Sequence, residues 1–140
     1  MARVLVVDDD RAIRELLQLA LECEGYEVTS FRNGAEILTH LAAEPEPSVI
    51  LMDIMMPQLD GWEVCRRLAA DPDLLRGHSI VLMSAGLVSG EFSAPALVDA
   101  VLLKPFNLDE LYNVVAELSR PAVVAPESHL PFAVEALLAS

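Results

Sequence analysis

Four short apolar runs, each ending at a residue that can do chemistry, constrain this chain more than any other feature. "VLVV" (Val4 to Val7) runs into Asp8, Asp9 and Asp10. "SVILMD" (Ser48 to Asp53) ends in an acid, "HSIVLMSA" (His78 to Ala85) reaches Ser84 near its end, and "AVLLKPF" runs into Lys104. Such runs are short and mostly β-branched or aliphatic, which suits strands buried on both faces. A fifth segment, "YEVTSF" (Tyr26 to Phe31), alternates as a strand does. Between these runs lie helical patterns. Asp10 to Glu24 carries Ile13, Leu16, Leu17, Ala20 and Leu21 at helical spacing, with Asp10 as N-cap and Gly25 as stop. Further helices are expected over Asn33 to Ala43, over Gly61 to Ala70 behind an Asp60 cap, and over Leu108 to Ser119 behind an Asn107 cap.

Strands alternating with helices imply a parallel sheet covered on both faces, with right-handed crossovers. One connection breaks the pattern. "GLVSGEFSAPALVDA" after Ser84 holds Gly86, Gly90 and Pro95, so the helix expected there is short or irregular. The composition shifts again after Arg120. Residues 1–120 are expected to form one domain, and 121–140 a proline-containing tail with a short helix at its end.

Several function classes are disfavoured. With 22 acidic against nine basic residues, the net charge of −13 repels nucleic acid and anionic membranes alike. The apolar runs are too short to span a bilayer, and the first seven residues lack a signal peptide's apolar region, so a cytoplasmic location is expected. Cys23 and Cys65 both sit in apolar-periodic stretches and are read as buried, reduced thiols. No CxxC and no Cys/His cluster suggests a zinc site.

In a parallel sheet all the carboxyl ends of the strands share one edge, where ligands bind. Asp8, Asp9, Asp53, Ser84 and Lys104 are therefore expected to converge. Three carboxylates packed together repel one another until a cation relieves them. A hard divalent ion such as Mg²⁺ fits oxygen ligands and leaves room for phosphate oxygens. Lys104, the only lysine in the chain, supplies a compact positive charge for the same purpose. Asp10 is assigned to capping rather than to the metal.

Four motifs in order, "VVDDD", "LMDIMMPQLDG", "MSA" and "KPF", resemble the receiver domain of two-component response regulators over roughly residues 1–120. The resemblance implies a flavodoxin-like (βα)5 doubly wound α/β fold with strand order 2-1-3-4-5. It implies that Asp53 is the phosphoacceptor and that Asp8, Asp9, Asp53 and the backbone carbonyl of Met55 hold Mg²⁺. Ser84 matches the switch hydroxyl and Lys104 the lysine that contacts the phosphoryl group. Pro57 and Gly61 match the loop beside Asp53, and Pro105 a residue that follows a cis peptide bond.

The implied partners are a sensor histidine kinase or phosphotransfer protein and a downstream protein target, since no segment of effector size follows residue 120. The resemblance implies neither direct nucleic-acid contact nor a membrane, allows a monomer or a homodimer, and implies a signalling role rather than an enzyme. Three departures stand out. The family's fourth helix, with strand five and helix five, forms the output face, and here the segment after Ser84 is broken by glycine and proline, so that face is expected to be used differently. Val101 occupies a position where such domains usually carry an aromatic switch residue. Met55 and Gly86 stand where polar side chains often steer the attacking water, so self-dephosphorylation is expected to be slow. A phosphorylated half-life longer than that of a Met55→Asn, Gly86→Glu variant is the expected result. Two rivals remain open: a phosphorylation-independent binding module of the same fold, and a Mg²⁺-dependent phosphatase using Asp8 and Asp10.

Overall fold

The computed structural model describes residues 2–56, 59–85 and 97–119. The apolar runs become β1 (Arg3–Val7), β2 (Glu27–Phe31), β3 (Ser48–Asp53), β4 (His78–Ala85) and β5 (Val98–Lys104). They form one five-stranded sheet in the order β2-β1-β3-β4-β5, and every pairing is parallel. This is the flavodoxin-like arrangement, whose strand order reverses direction between β1 and β3.

The side chains of each strand alternate between two cores. Val4, Val6, Val49, Leu51, Val81 and Met83 face α1 (Arg11–Cys23) and α5 (Leu108–Leu118), meeting Leu17, Leu21, Leu111 and Val115. Leu5, Val7, Ile50, Met52, Ile80 and Leu82 face α2 (Gly34–Ala43) and α3 (Gly61–Ala70), meeting Ile37, Leu41, Val64 and Leu68. The central strands are apolar on both faces because both faces are covered.

The helix ends follow local chemistry. Asp10 accepts from the amides of Ala12 and Ile13. Asp60 accepts from Glu63, and Asn107 and Glu110 form a reciprocal capping box. α1 stops at Gly25, whose φ of 92° is readily reached only without a Cβ. The Tyr26 amide reaches the Leu21 carbonyl and the Gly25 amide that of Glu22, closing the helix in a Schellman motif.

Three features differ from expectation. A one-turn helix, α4 (Pro72–Leu75), follows α3, with proline at its first position. β5 starts at Val98 rather than Ala100, because Asp99 is an extra residue at a register shift: Val98 pairs with Ile80 and Ala100 with Val81. The Asp99 carboxylate accepts the Ile80 amide at 2.8 Å, which replaces a ladder bond. Cys65 is buried as expected, but Cys23 is exposed on the last turn of α1. The segment expected to hold a broken helix, residues 86–96, and the tail from residue 120 lie outside the described residues, as does Pro57.

Candidate functional site

The register carries the strand ends to one edge. Val7 pairs with Met52, so Asp8 and Asp53 leave adjacent strands side by side. Asp53 pairs with Met83, and Ala85 with Lys104. Ser84 is buried at the end of β4, one residue beyond the partner of Asp53.

Asp8 is fully buried, Asp53 is 7% exposed and Asp9 is open to solvent. Each offers a carboxylate oxygen, and these oxygens all lie within 4.8 Å of one another. Backbone and side chains hold the acids in place. Asp8 accepts the Asp10 amide at 2.9 Å, while the Arg14 guanidinium donates to the Asp8 carbonyl at 2.8 Å. Asp53 accepts the Met55 amide at 3.3 Å. The Met55 side chain points to solvent, 71% exposed, leaving only its backbone as a contributor.

Among the described residues one cation serves this cluster. Lys104 Nζ lies 3.1 Å from Asp8 and 3.7 Å from Asp53. The described arginines are committed elsewhere: Arg3, Arg11, Arg32, Arg66, Arg67 and Arg76 pair with surface acids, and Arg14 with the Asp8 carbonyl. Charge balance therefore fails locally. Burial raises the Asp53 carboxyl to about 6, helped by the charges of Asp8 and Asp9 and opposed by Lys104 and the Met55 amide.

Gly61 lets the structure close over Asp53. A Cβ there would meet the Asp53 carbonyl oxygen at 2.8 Å and the Ile54 Cα at 3.0 Å. α3 thus starts directly against the end of β3. The Lys104–Pro105 peptide bond is cis. Val101 is half-buried in β5, opposite Leu82.

A family model described as "Response regulator receiver domain" matches residues 4–116. The chain belongs to this family. Among curated relatives of the receiver domain, the response regulator MprA of Mycobacterium avium is 44% identical over 119 residues. That match covers 84% of the chain and 51% of the relative. The chain thus spans about half the length of the curated relatives it matches.

Solved structures agree on the fold. The CheY-like receiver domain protein of Methanospirillum hungatei superposes with a TM-score of 0.75 at 28% identity, covering 84% of this chain and 94% of that one. The response regulator TrrA of Thermotoga maritima, solved in complex with Mg²⁺–BeF, gives 0.69 at 33% identity, covering 84% and 99%. Among the described residues no helix is long and apolar enough to cross a membrane.

The donor set here suits a hard divalent ion on its own terms. Oxygen ligands converge, negative charge is in excess, and the one ammonium is too little to balance it. The structure places Asp8, Asp9, Asp53 and Lys104 side by side, and Ser84 at the end of the neighbouring strand on the same edge. Arg14 is the contributor that sequence reasoning missed. It sits four residues after the Asp10 cap on the half-buried side of α1, and nothing in its spacing separates it from a surface arginine.

Proposed function

We propose that this receiver domain takes a phosphoryl group onto Asp53 from a sensor histidine kinase or phosphotransfer protein, with Mg²⁺, and that the modification switches a protein-binding surface. The observation that carries this is the placement of a nearly buried carboxylate, Asp53, among two further carboxylates and a single ammonium. A carboxylate in that position is a nucleophile whose product, an acyl phosphate, has a cation beside it.

The chemistry assigns each group a task. An Asp53 oxygen forms the new bond to phosphorus. The bond from phosphorus to the donor breaks, and the donor leaves with that electron pair. Asp53 has to be ionised to attack; with its carboxyl near 6, most of it is ionised at pH 7. Asp8, Asp9, Asp53 and the Met55 carbonyl are the groups that would hold the metal. When bound, Mg²⁺ supplies neutralising charge to the carboxylates and phosphoryl oxygens. Lys104 offers a compact charge to a phosphoryl oxygen, and the Ser84 hydroxyl a hydrogen bond. A phosphoryl group adds charge and acceptor oxygens, to which both side chains respond and bias the surrounding surface.

The decisive experiment is intact-mass spectrometry after incubation with acetyl phosphate, with and without Mg²⁺, on the wild type and on Asp53→Asn. One added phosphoryl group, dependent on Mg²⁺ and lost in the variant, is expected. No adduct on the wild type, under conditions that preserve acyl phosphates, overturns the proposal in favour of a binding module.

A further inference from the structure

Sulfur is spread unevenly through this domain. Met52, Met56 and Met83 are buried in its two cores. Cys65 is buried too, and burial pushes its thiol up to about 11, which leaves it protonated and inert at pH 7. Cys23 is exposed, but on the last turn of α1, about 20 Å along that helix from the strand-end edge. Met55 alone among the described methionines stands in solvent, 71% exposed. It also stands at the site, because its amide donates to Asp53 Oδ1 at 3.3 Å.

A thioether exposed there has little packing to do. It is too soft to help hold a hard cation and is only a weak hydrogen-bond acceptor. Its own chemistry is oxidation, to which exposure makes a methionine susceptible. We propose that Met55 is a redox modification site: a hydroperoxide converts its thioether to the sulfoxide, and the new oxygen shortens the life of a phosphoryl group on Asp53. The second half of this proposal rests on the phosphoacceptor reading.

In the oxidation a sulfur lone pair attacks one peroxide oxygen. The S–O bond forms as the O–O bond breaks, and the proton on the transferred oxygen passes to the departing one, giving water or an alcohol. Sulfur loses two electrons and the peroxide gains them. Reach and polarity set the consequence. The unbranched methionine side chain turns about three bonds, so its end sweeps the space in front of Asp53. As a thioether it presents sulfur and a methyl group to that space. As a sulfoxide it presents a polar acceptor oxygen. A water donating to that oxygen is held near the phosphorus with a lone pair free, the arrangement that hydrolysis of an acyl phosphate needs. The change is reversible, since enzymes that reduce methionine sulfoxide restore the thioether.

The test starts from Cys23→Ser protein, so that the exposed thiol consumes no oxidant. One sample is treated with hydrogen peroxide, one is not, and both are mapped by peptide mass. One added oxygen on Met55, with Met52, Met56 and Met83 unmodified, is expected. Both samples are then phosphorylated with acetyl phosphate and Mg²⁺, and loss of the adduct is followed by intact mass. A severalfold shorter half-life after peroxide is expected. Met55→Leu, which has no sulfur there, should not respond to peroxide. Met55→Gln, whose amide oxygen has similar reach, should show the short half-life without it. Equal oxidation of the buried methionines overturns the inference, as does the same shortening in Met55→Leu. No adduct on the untreated sample overturns the phosphoacceptor reading and this inference with it, whereas an adduct whose half-life ignores the oxygen on Met55 overturns this inference alone.

Discussion

The two edges of the sheet both bury polar groups, and they handle them in opposite ways. At the amino ends of β3 and β4, the Ser48 hydroxyl and His78 Nδ1 lie 2.8 Å apart and pair across adjacent strands. Both are buried, and burial, with His40 nearby, holds His78 below its usual range and so neutral. Each group satisfies the other. At the carboxyl ends, Asp8, Asp9 and Asp53 meet one ammonium, and burial pushes Asp53 up instead. A satisfied neutral pair stabilises the fold, whereas an unbalanced cluster stores a demand for a cation.

The largest expected effect removes that demand. Asp53→Asn is expected to abolish phosphoryl uptake in the mass assay. Without metal the same variant should be more stable than wild type at pH 7, by ~1–3 kcal/mol. The sign follows from the folded carboxyl lying at about 6 against an ordinary value of 3.8. The native state then binds the proton more tightly, so wild-type stability rises as pH falls through 6, and the variant's advantage closes below about pH 4. Urea melts across that range measure it. Added Mg²⁺ should raise the wild-type midpoint and leave the variant's nearly unchanged.

Next come two glycines, one at each edge. Gly61→Ala forces a Cβ against the Asp53 carbonyl, and both destabilisation of ~1–3 kcal/mol and slower phosphorylation are expected. Gly77, just before β4, has a φ of 82°. Gly77→Ala should cost ~1–2 kcal/mol through backbone strain, with a tight contact of the new Cβ on the Pro47 ring adding to it, and the phosphorylation rate unchanged. Equal effects on phosphorylation would erase the distinction between the edges.

Ser48→Ala is smaller, ~1 kcal/mol, because it leaves a buried ring nitrogen without its partner. The pH response at this edge has the opposite sign to that at Asp53. His78 is held below 6.5 in the folded state, so the unfolded chain binds its proton more tightly and stability falls as pH drops through 6.5. His78→Gln should remove that loss and leave the Asp53 response intact. The smallest effect belongs to Arg14→Met, which frees the Asp8 carbonyl at a cost of ~0.5 kcal/mol and should weaken Mg²⁺ binding in a titration.

Much of this was legible in the chain because periodicity and charge report what strands and helices bury. The fully apolar runs fixed β1, β3 and β4, and the residue after each run marked the site edge. Caps at Asp10, Asp60 and Asn107 are local chemistry and were readable as such. Features that depend on tertiary placement were not. Cys23 follows the buried Leu21 by two positions, which turns it to the far side of α1, yet its neighbours are apolar enough to suggest burial. "DPDLL" makes one helical turn whose pattern is too short to register. Asp99 bulges because its carboxylate can stand in for a carbonyl opposite Ile80, a pairing across 19 residues. Ser48 and His78 are 30 residues apart and become partners only through strand register.

Lys104 has a consequence for chemical probes. It is the only lysine among 140 residues, and its ammonium stands between Asp8 and Asp53. An amine-reactive label or an isotope-enriched lysine therefore gives one side-chain signal, and that signal comes from the strand-end edge itself. Acylation of Lys104 should slow when the carboxylates hold it and change again once a cation or a phosphoryl group displaces them. The residue is a built-in reporter, so occupancy of the site can be followed in the unmutated protein.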